Sequence, residues 1–300
     1  MKKMLMFLFL MIMVLLSIAF YTLLERKILS YMQIRKGPNK VIMSGLIQPV
    51  LDGVKLFLKE FSSNMNINKT IFNMFPGLLL VLMLIMWSNY MYLNNSFINH
   101  GMLSILIISG MGVYGILGTG YSSNSKYSLL GCYRNVAQVI SYEVGMIFIL
   151  ISFFMFCKTY NIKILMLKNS LSHYYFFGFS YLFLMWFMIM LAELNRAPFD
   201  FAESESELVS GFNIEYGGLK FAFLFLSEYG NMIFMSYFTS IIFFNKSIFI
   251  TIIMMIMMIW IRGAYPRYRY DNLMYLNWKI YLPLILMIML FLYSYFAMMM

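Results

Sequence analysis

Six of the twelve carboxylates in this 300-residue chain lie between Glu193 and Gly218: Glu193, Asp200, Glu203, Glu205, Glu207 and Glu215. Two more acids, Glu143 and Glu228, stand inside apolar runs, in Ser141-Tyr142-Glu143-Val144 and Ser227-Glu228-Tyr229-Gly230. Inserting one acid at the centre of a bilayer costs about 2.5–3.5 kcal/mol, so acids in or beside spans mark a task. A carboxyl in apolar surroundings changes its protonation state readily with its environment, which is the chemistry of a proton relay. Structural pairing is the competing reading for Glu143, since Arg134 lies two to three helical turns away. For the loop, Arg196 is an internal counter-charge, and a solvated acidic surface is the competing reading. The alternating Glu203, Glu205 and Glu207 cannot share one helix face, so an irregular segment wrapping a cavity is expected. Ala197, Pro198, Phe199, Phe201 and Phe212, woven among the acids, point to a packed loop.

These acids need a membrane bundle to position them. The chain is 62% hydrophobic and 11% charged, with a mean hydropathy of +0.78. Soluble domains carry about 25% charged residues. Since about 20 apolar residues make a span, eight segments are readable. They are Met4–Leu24, Ile71–Leu93, Met102–Tyr121, Val136–Phe156, Tyr174–Leu194, Phe221–Phe244, Ile248–Ile261 and Ile280–Met299. The expected fold is an all-α polytopic membrane protein, with residues 1–300 forming a single domain of about eight transmembrane helices. There is no convincing internal repeat, which argues against an inverted-repeat transporter.

The basic residues set the expected orientation. The N-terminal segment and the loops after spans two, four and six carry 6 Lys or Arg and no Asp or Glu; the other loops carry 16. The positive-inside rule puts the 16-charge side in the matrix or cytoplasm and both termini on the opposite side. Residues 193–218 are then an acidic loop on the matrix side. The N-terminus carries Lys2, Lys3 and an apolar run, but that run is too long for a signal peptide and reads as a first span.

Residues 39–61 of the first long loop read as an amphipathic helix along the membrane interface. Leu46, Ile47, Val50, Leu51, Val54, Phe57, Leu58 and Phe61 recur at helical spacing, with Gln48, Asp52, Lys55 and Lys59 on the other face. Pro49 starts or kinks it. The helix is either a simple surface helix or the wall of a cavity, with Asp52 turned inward.

Several chemistries are excluded or weak. The net charge of +10 sits in loops, so it does not imply nucleic acid. Cys132 and Cys157 form no CxxC pair, and His100 and His173 both fall in loops. These numbers are too few for an iron–sulfur cluster or a structural zinc, and the placement rules out a bis-histidine haem in the bundle. Gly110, Gly112 and Gly115 match GxGxxG but follow no strand, so close helix packing, continued by Gly118, is the better account. Methionine, at 32 residues, often stands where Ile or Leu would serve. That fits an AT-rich mitochondrial genome reading ATA as Met, with ordinary methionine plasticity as the alternative. The cations from Arg262 to Arg269 read as an interface anchor or a contact with a neighbouring subunit.

Taken in order, the motifs resemble one family. They are Leu24-Glu25-Arg26-Lys27, Gln33 to Lys40, Gln48-Pro49-Val50-Leu51-Asp52-Gly53, Ala137-Gln138 with Ser141-Tyr142-Glu143, Asn195 to Asp200, Glu203 to Gly211, and Trp260 to Asp271. The chain resembles subunit 1 of respiratory NADH–ubiquinone oxidoreductase, complex I, in its mitochondrially encoded form. Asn135 departs from the pattern, standing where the family more often has a small residue. The resemblance implies a core membrane subunit of a proton-pumping NADH–ubiquinone oxidoreductase of the mitochondrial inner membrane, with both termini on the intermembrane-space side. Glu25, Arg26, Arg35 and Asp52 would line or border the quinone chamber. Glu143, Glu193, Asp200, Glu203, Glu205 and Glu228 would carry the protonic link. Ubiquinone would be the substrate, with no cofactor bound by this chain and FMN and iron–sulfur clusters in partner subunits. The partners implied are the other subunits of both arms and the lipid bilayer. A coupled secondary transporter would explain the intramembrane acids but not the interfacial helix or the packed loop. A purely structural anchor would leave the cost of Glu143 and Glu228 without a purpose.

Overall fold

The computed structural model describes residues 2–59, 67–92, 100–171, 180–201, 211–244 and 246–299. Among these residues there are helices and no strand. In chain order the helices are α1 (Lys2–Met32), α2 (Ile42–Gly45), α3 (Gln48–Leu58), α4 (Lys69–Tyr92), α5 (Gly101–Ser122), α6 (Lys126–Cys157), α7 (Ile162–Leu171), α8 (Ser180–Glu193), α9 (Gly218–Phe244) and α10 (Ile248–Ala264). The last helical run is α11 (Tyr270–Tyr275), a π-helical stretch over Leu276–Tyr281, and α12 (Leu282–Met299). Where their residues are described, the eight apolar segments fall on helices, as an all-α polytopic bundle requires. Among the described residues, five helices are long and apolar enough to cross a membrane, while α8 and α10 are apolar but shorter. At a rise of about 1.5 Å per residue, α1 is longer than a hydrocarbon core of about 30 Å. Its last turns, with Glu25, Arg26 and Lys27, can stand clear of the apolar layer.

The central element is α9, which packs against α1, α3, α4, α7 and α10. It carries buried hydroxyl side chains because it faces protein. Ser227, Ser236, Thr239 and Ser240 are all buried there. Each donates its hydroxyl to the carbonyl three residues back, at 2.7 Å, so the helix satisfies its own polar groups.

Close approach between helices rests on small residues, since lipid supplies little hydrophobic drive for helix association. A Cβ on Gly115 or Gly118 of α5 would lie 2.4 Å from Leu79 or 2.3 Å from Phe75 of α4. A Cβ on Gly230 of α9 would lie 2.6 Å from Met83. The helix-packing account of the glycine motif thus holds at Gly115 and its continuation Gly118.

Three features fix the ground around the acids. The first is α3, with Pro49 in its opening turn, packed against α1 and α9. Its apolar residues Val50, Leu51, Val54, Phe57 and Leu58 point away from the bundle and are all exposed, while Asp52 is half-buried on the inner side. Second, the segment after α8 is packed, with Phe199 and Phe201 fully buried. Gln138 of α6 clamps it by donating to the Ala192 carbonyl at 2.7 Å and the Phe199 carbonyl at 2.8 Å. Third, the final helical run is tied to α6 beside Glu143. Asn277 Nδ2 donates to the Ser141 carbonyl at 2.6 Å, and the Tyr142 hydroxyl donates to the Leu273 carbonyl at 3.0 Å.

Candidate functional site

Two groups of charged residues sit at the same end of the bundle. The first centres on Glu25, in the last turns of α1 and 5% exposed. Successive residues on a helix point about 100° apart. Glu25 therefore faces the bundle while Arg26 faces α3. Glu25 Oε1 accepts from Arg196 at 3.2 Å and also from Arg262 of α10. Oε2 accepts the Tyr229 hydroxyl of α9 at 2.5 Å. The Arg196 guanidinium also stacks on the Tyr229 ring, 4.6 Å from its centroid. Burial opposes the charge of Arg196, but the Glu25 carboxylate and Tyr229 outweigh it and hold its pKa above the ordinary value. Arg26 binds Asp52 at 2.5 Å, and Gln48 Nε2 donates to the other Asp52 oxygen at 2.9 Å. Arg35 lies exposed beyond the end of α1. Among the described residues no contact joins it to Glu25, Arg26 or Asp52.

The second group surrounds two adjoining cavities, each of about 90 Å³, that share Leu79, Ile116, Glu193, Leu194 and Asn231. The outer cavity is also lined by Asn135, Asn195, Arg196, Asp200 and Glu228. The inner one runs between α4, α5, α6 and α9 past Ser109 and Gly112. Glu143 lies next to this inner region. A Cβ on Gly110 would be 2.8 Å from Glu143 Oε1, and Glu143 acts electrostatically on Glu193. Gly110 of the glycine motif therefore makes room for a carboxyl.

The polar walls of these cavities are under-partnered. Glu193 Oε2, Asn195 Oδ1, Asn231 Oδ1 and both side-chain heteroatoms of Asn135 are buried without a hydrogen-bond partner among the described residues.

The structure thus brings Glu193, Asp200 and Glu228 around one cavity, with Glu143 beside Glu193. Glu25 joins them through Arg196, which touches both groups. Glu203 and Glu205, with Glu207 and His173, lie outside the described residues. Sequence reasoning placed Arg196 as a counter-charge within the acidic loop and Arg262 as an anchor or subunit contact. Both converge on Glu25, and Arg196 also lines the outer cavity with Glu193 and Asp200. Tyr229, Asn231, Asn195 and Gln138 were missed as site residues. The adjacency of Tyr229 and Asn231 to Glu228 was a weak signal, but their roles depend on contacts between helices far apart in sequence.

A family model described as NADH dehydrogenase matches residues 5–293. A protein of the squid Heterololigo bleekeri named NADH-ubiquinone oxidoreductase chain 1 is 48% identical over 292 residues, covering 93% of this chain and 92% of its own. Proteins of the same name are similarly close. That of Rhipicephalus sanguineus is 48% identical, covering 91% of this chain and 88% of its own. That of Aedes aegypti is 47% identical, covering 92% and 90%.

Proposed function

The chain belongs to the NADH dehydrogenase family, and from that premise we propose that it couples ubiquinone reduction to proton movement. It is a membrane subunit of NADH:ubiquinone oxidoreductase, the respiratory complex I, and a multi-pass mitochondrial membrane protein. In our reading both termini face the intermembrane space. Glu25, Arg26, Arg35 and Asp52 border the quinone chamber, whose wall is α3, α1 and α9. Glu25 fixes Arg196 and Arg262 behind that wall. The carboxylates Glu193, Asp200, Glu228 and Glu143, continued by Glu203 and Glu205, form the start of a proton path. The chain works beside partner subunits of both arms, which hold FMN and the iron–sulfur clusters.

The observation that carries this reading is the pair of adjoining cavities. They place Glu193 on a wall common to both and Asp200 and Glu228 on the wall of the outer one, next to the ion-pair group that reaches α1. Reducing a quinone to quinol takes up two protons and alters charge in a buried site. Coupled carboxyls nearby then titrate as a group rather than singly. Asp52 can position the quinone head or a proton donor for it, because Gln48 and Arg26 hold its carboxylate in place.

The deciding experiment replaces Glu143 or Glu228 by Gln in the assembled complex. The amide keeps the shape and much of the hydrogen bonding but does not titrate. Quinone reduction and proton pumping per assembled complex are expected to fall by more than assembly does. Normal values for both variants would remove these residues from the path. A fall in the amount of complex alone, with normal activity per complex, would leave them a structural role only.

A further inference from the structure

A third cavity, of about 480 Å³, lies at the opposite end of the bundle from the acids. It is lined by Leu103 and Leu106 of α5 and by Ile147, Ile151 and Met155 of α6. The α6 residues recur at four-residue steps, so they form one apolar stripe along the helix. Lys158, Thr159 and Tyr160, in the turn between α6 and α7, close one end of the cavity. Leu103 and Tyr160 are exposed at its edge, so it opens outward. The turn is held in place. The Lys158 N–H donates to the Phe154 carbonyl at 2.7 Å, and the Tyr160 carbonyl accepts from the Met102 N–H of α5 at 3.3 Å. The Tyr160 ring packs edge-on against Phe154, with centroids 4.8 Å apart.

The depth of this end follows from α6. Gln138 stands at the acidic end, where it clamps the segment after α8. From Gln138 to Lys158 the helix rises about 30 Å, the thickness of a hydrocarbon core. Lys158 therefore stands at headgroup level, with the apolar stripe at the depth of acyl chains. Tyr160 brings an amphipathic ring of the kind enriched at membrane interfaces. Lys158 and Lys163 of α7 are both exposed, and among the described residues neither meets a carboxylate. Between Glu60 and Glu193 the only acid in the sequence is Glu143, about 22 Å back along α6. An apolar channel that ends in ammonium groups without a counter-ion complements an acyl chain that ends in an anion.

We propose that this cavity binds one anionic phospholipid, with an acyl chain along Ile147, Ile151 and Met155 and its phosphate at Lys158. The cavity volume falls within the range of about 300–1,000 Å³ usual for small-molecule sites. A zwitterionic lipid carries its own cation beside the phosphate and gains less from Lys158. The proposal depends on neither the quinone chamber nor the proton path.

The test uses the assembled complex, stripped of loosely held lipid and reconstituted in phosphatidylcholine vesicles. A minor share of the lipid is phosphatidylglycerol or phosphatidylcholine with a photoreactive group on one acyl chain. After illumination, mass spectrometry locates the labelled peptides. The phosphatidylglycerol probe is expected to label the facing segments of α5 and α6 about fivefold more than the phosphatidylcholine probe, the effect of one lysine on an anionic lipid. Lys158→Gln should bring the two probes to the same level. Ile151→Trp, which fills the channel, should reduce labelling by both. Equal labelling by the two probes in the natural protein would leave a general lipid contact only and overturn the proposal. An unchanged ratio in Lys158→Gln would overturn it too, as would the absence of label from these segments. A partner subunit's helix seated in the cavity, seen in a map of the complex, would do the same. Should Ile151→Trp fail to assemble, Lys158→Gln, at an exposed position, still decides.

Discussion

Glu25 and Glu193 are both acids at the end of a helix, and both meet Arg196 or its neighbourhood, yet their surroundings are opposite. Each oxygen of Glu25 has a partner: two guanidiniums on one side and a phenol on the other. Glu193 has Oε2 buried with none, faces Glu143, and lines a cavity walled by other unpartnered amides. A carboxylate with a full set of cationic and hydroxyl donors is held in one charge state. A carboxyl with vacant hydrogen-bonding capacity and an acidic neighbour is free to change state. The first arrangement suits a fixed joint between α1, α9 and α10. The second suits a site that loads and releases protons.

The largest effect should come from breaking the joint. Glu25→Ala leaves Arg196 and Arg262 without their shared counter-ion. Removing one partner of a buried pair costs about 3–5 kcal/mol, so the amount of assembled complex should collapse when measured on native gels. Arg262 is partly exposed and can turn to solvent, which places the loss nearer the lower figure. The pH behaviour of this joint follows from Arg196, whose pKa is raised in the folded protein. A raised pKa contributes stability that is fully present below the unfolded value and is lost only as pH rises through the folded one. For an arginine that window lies well above neutrality, so assembly should be flat from about pH 6 to 9. A steep fall in assembly within that range would mean that the joint is not held as a fixed charge pair.

The next effect should appear at Glu193, with the opposite signature. Glu193→Gln keeps the side-chain shape and removes an acid that sits near Glu143. Assembly should change by no more than about 1 kcal/mol, the scale of one net hydrogen bond. Pumping per complex should fall by about a hundredfold or more, the lower end of the range for a lost proton-transfer group. If Glu193→Gln instead behaves like Glu25→Ala, losing complex but not activity per complex, the contrast between the two acids disappears.

Asp52 should give an intermediate result. Its pair with Arg26 is half-exposed, and such pairs add about 0–1 kcal/mol to stability. Assembly of Asp52→Ala should therefore stay near normal. Quinone reduction should slow, by about tenfold if Asp52 positions the reacting head group, while NADH oxidation by an artificial electron acceptor survives. Normal rates for both activities in a fully assembled complex would move Asp52 out of the chamber wall.

The bundle was largely legible in the sequence because lipid imposes a simple demand: apolar runs of about 20 residues with their backbone bonds closed internally. Among the described residues, the helical runs sit where that demand puts them. The acids were legible for the same reason, since a carboxyl in an apolar run stands out. Their partners were not. Arg262 meets Glu25 across 237 positions and Tyr229 meets it across 204. No local period encodes such contacts, so Arg262 read as an anchor on its own loop. Asn231 and Asn195 drew no attention because an amide carries no charge penalty in a hydropathy pattern. Only the cavity shows that their oxygens go unmet. Gly110 was legible as a small residue for packing, but its proximity to Glu143 was not.

That last residue gives the smallest predicted effect and the sharpest one. A Cβ at Gly110 would lie 2.8 Å from Glu143 Oε1, closer than real Cβ contacts allow, whereas one at Gly118 would lie 2.3 Å from the Phe75 ring. The obstacles differ in kind. A carboxylate at the end of a flexible side chain turns aside at little cost, while the partly buried Phe75 ring, which would meet the new Cβ with three of its carbons, must move as a whole or push the helices apart. Gly110→Ala should therefore leave assembly intact and lower pumping per complex by about twofold to threefold, the loss expected when a proton donor is displaced but kept. Gly118→Ala should do the reverse, reducing assembly by about 1–3 kcal/mol of overpacking strain with normal activity in whatever complex forms. Measuring both quantities for both variants separates the two roles of one glycine-rich helix. If Gly110→Ala loses assembly as Gly118→Ala does, its glycine serves packing alone and the Glu143 carboxyl is not seated where the inner cavity needs it.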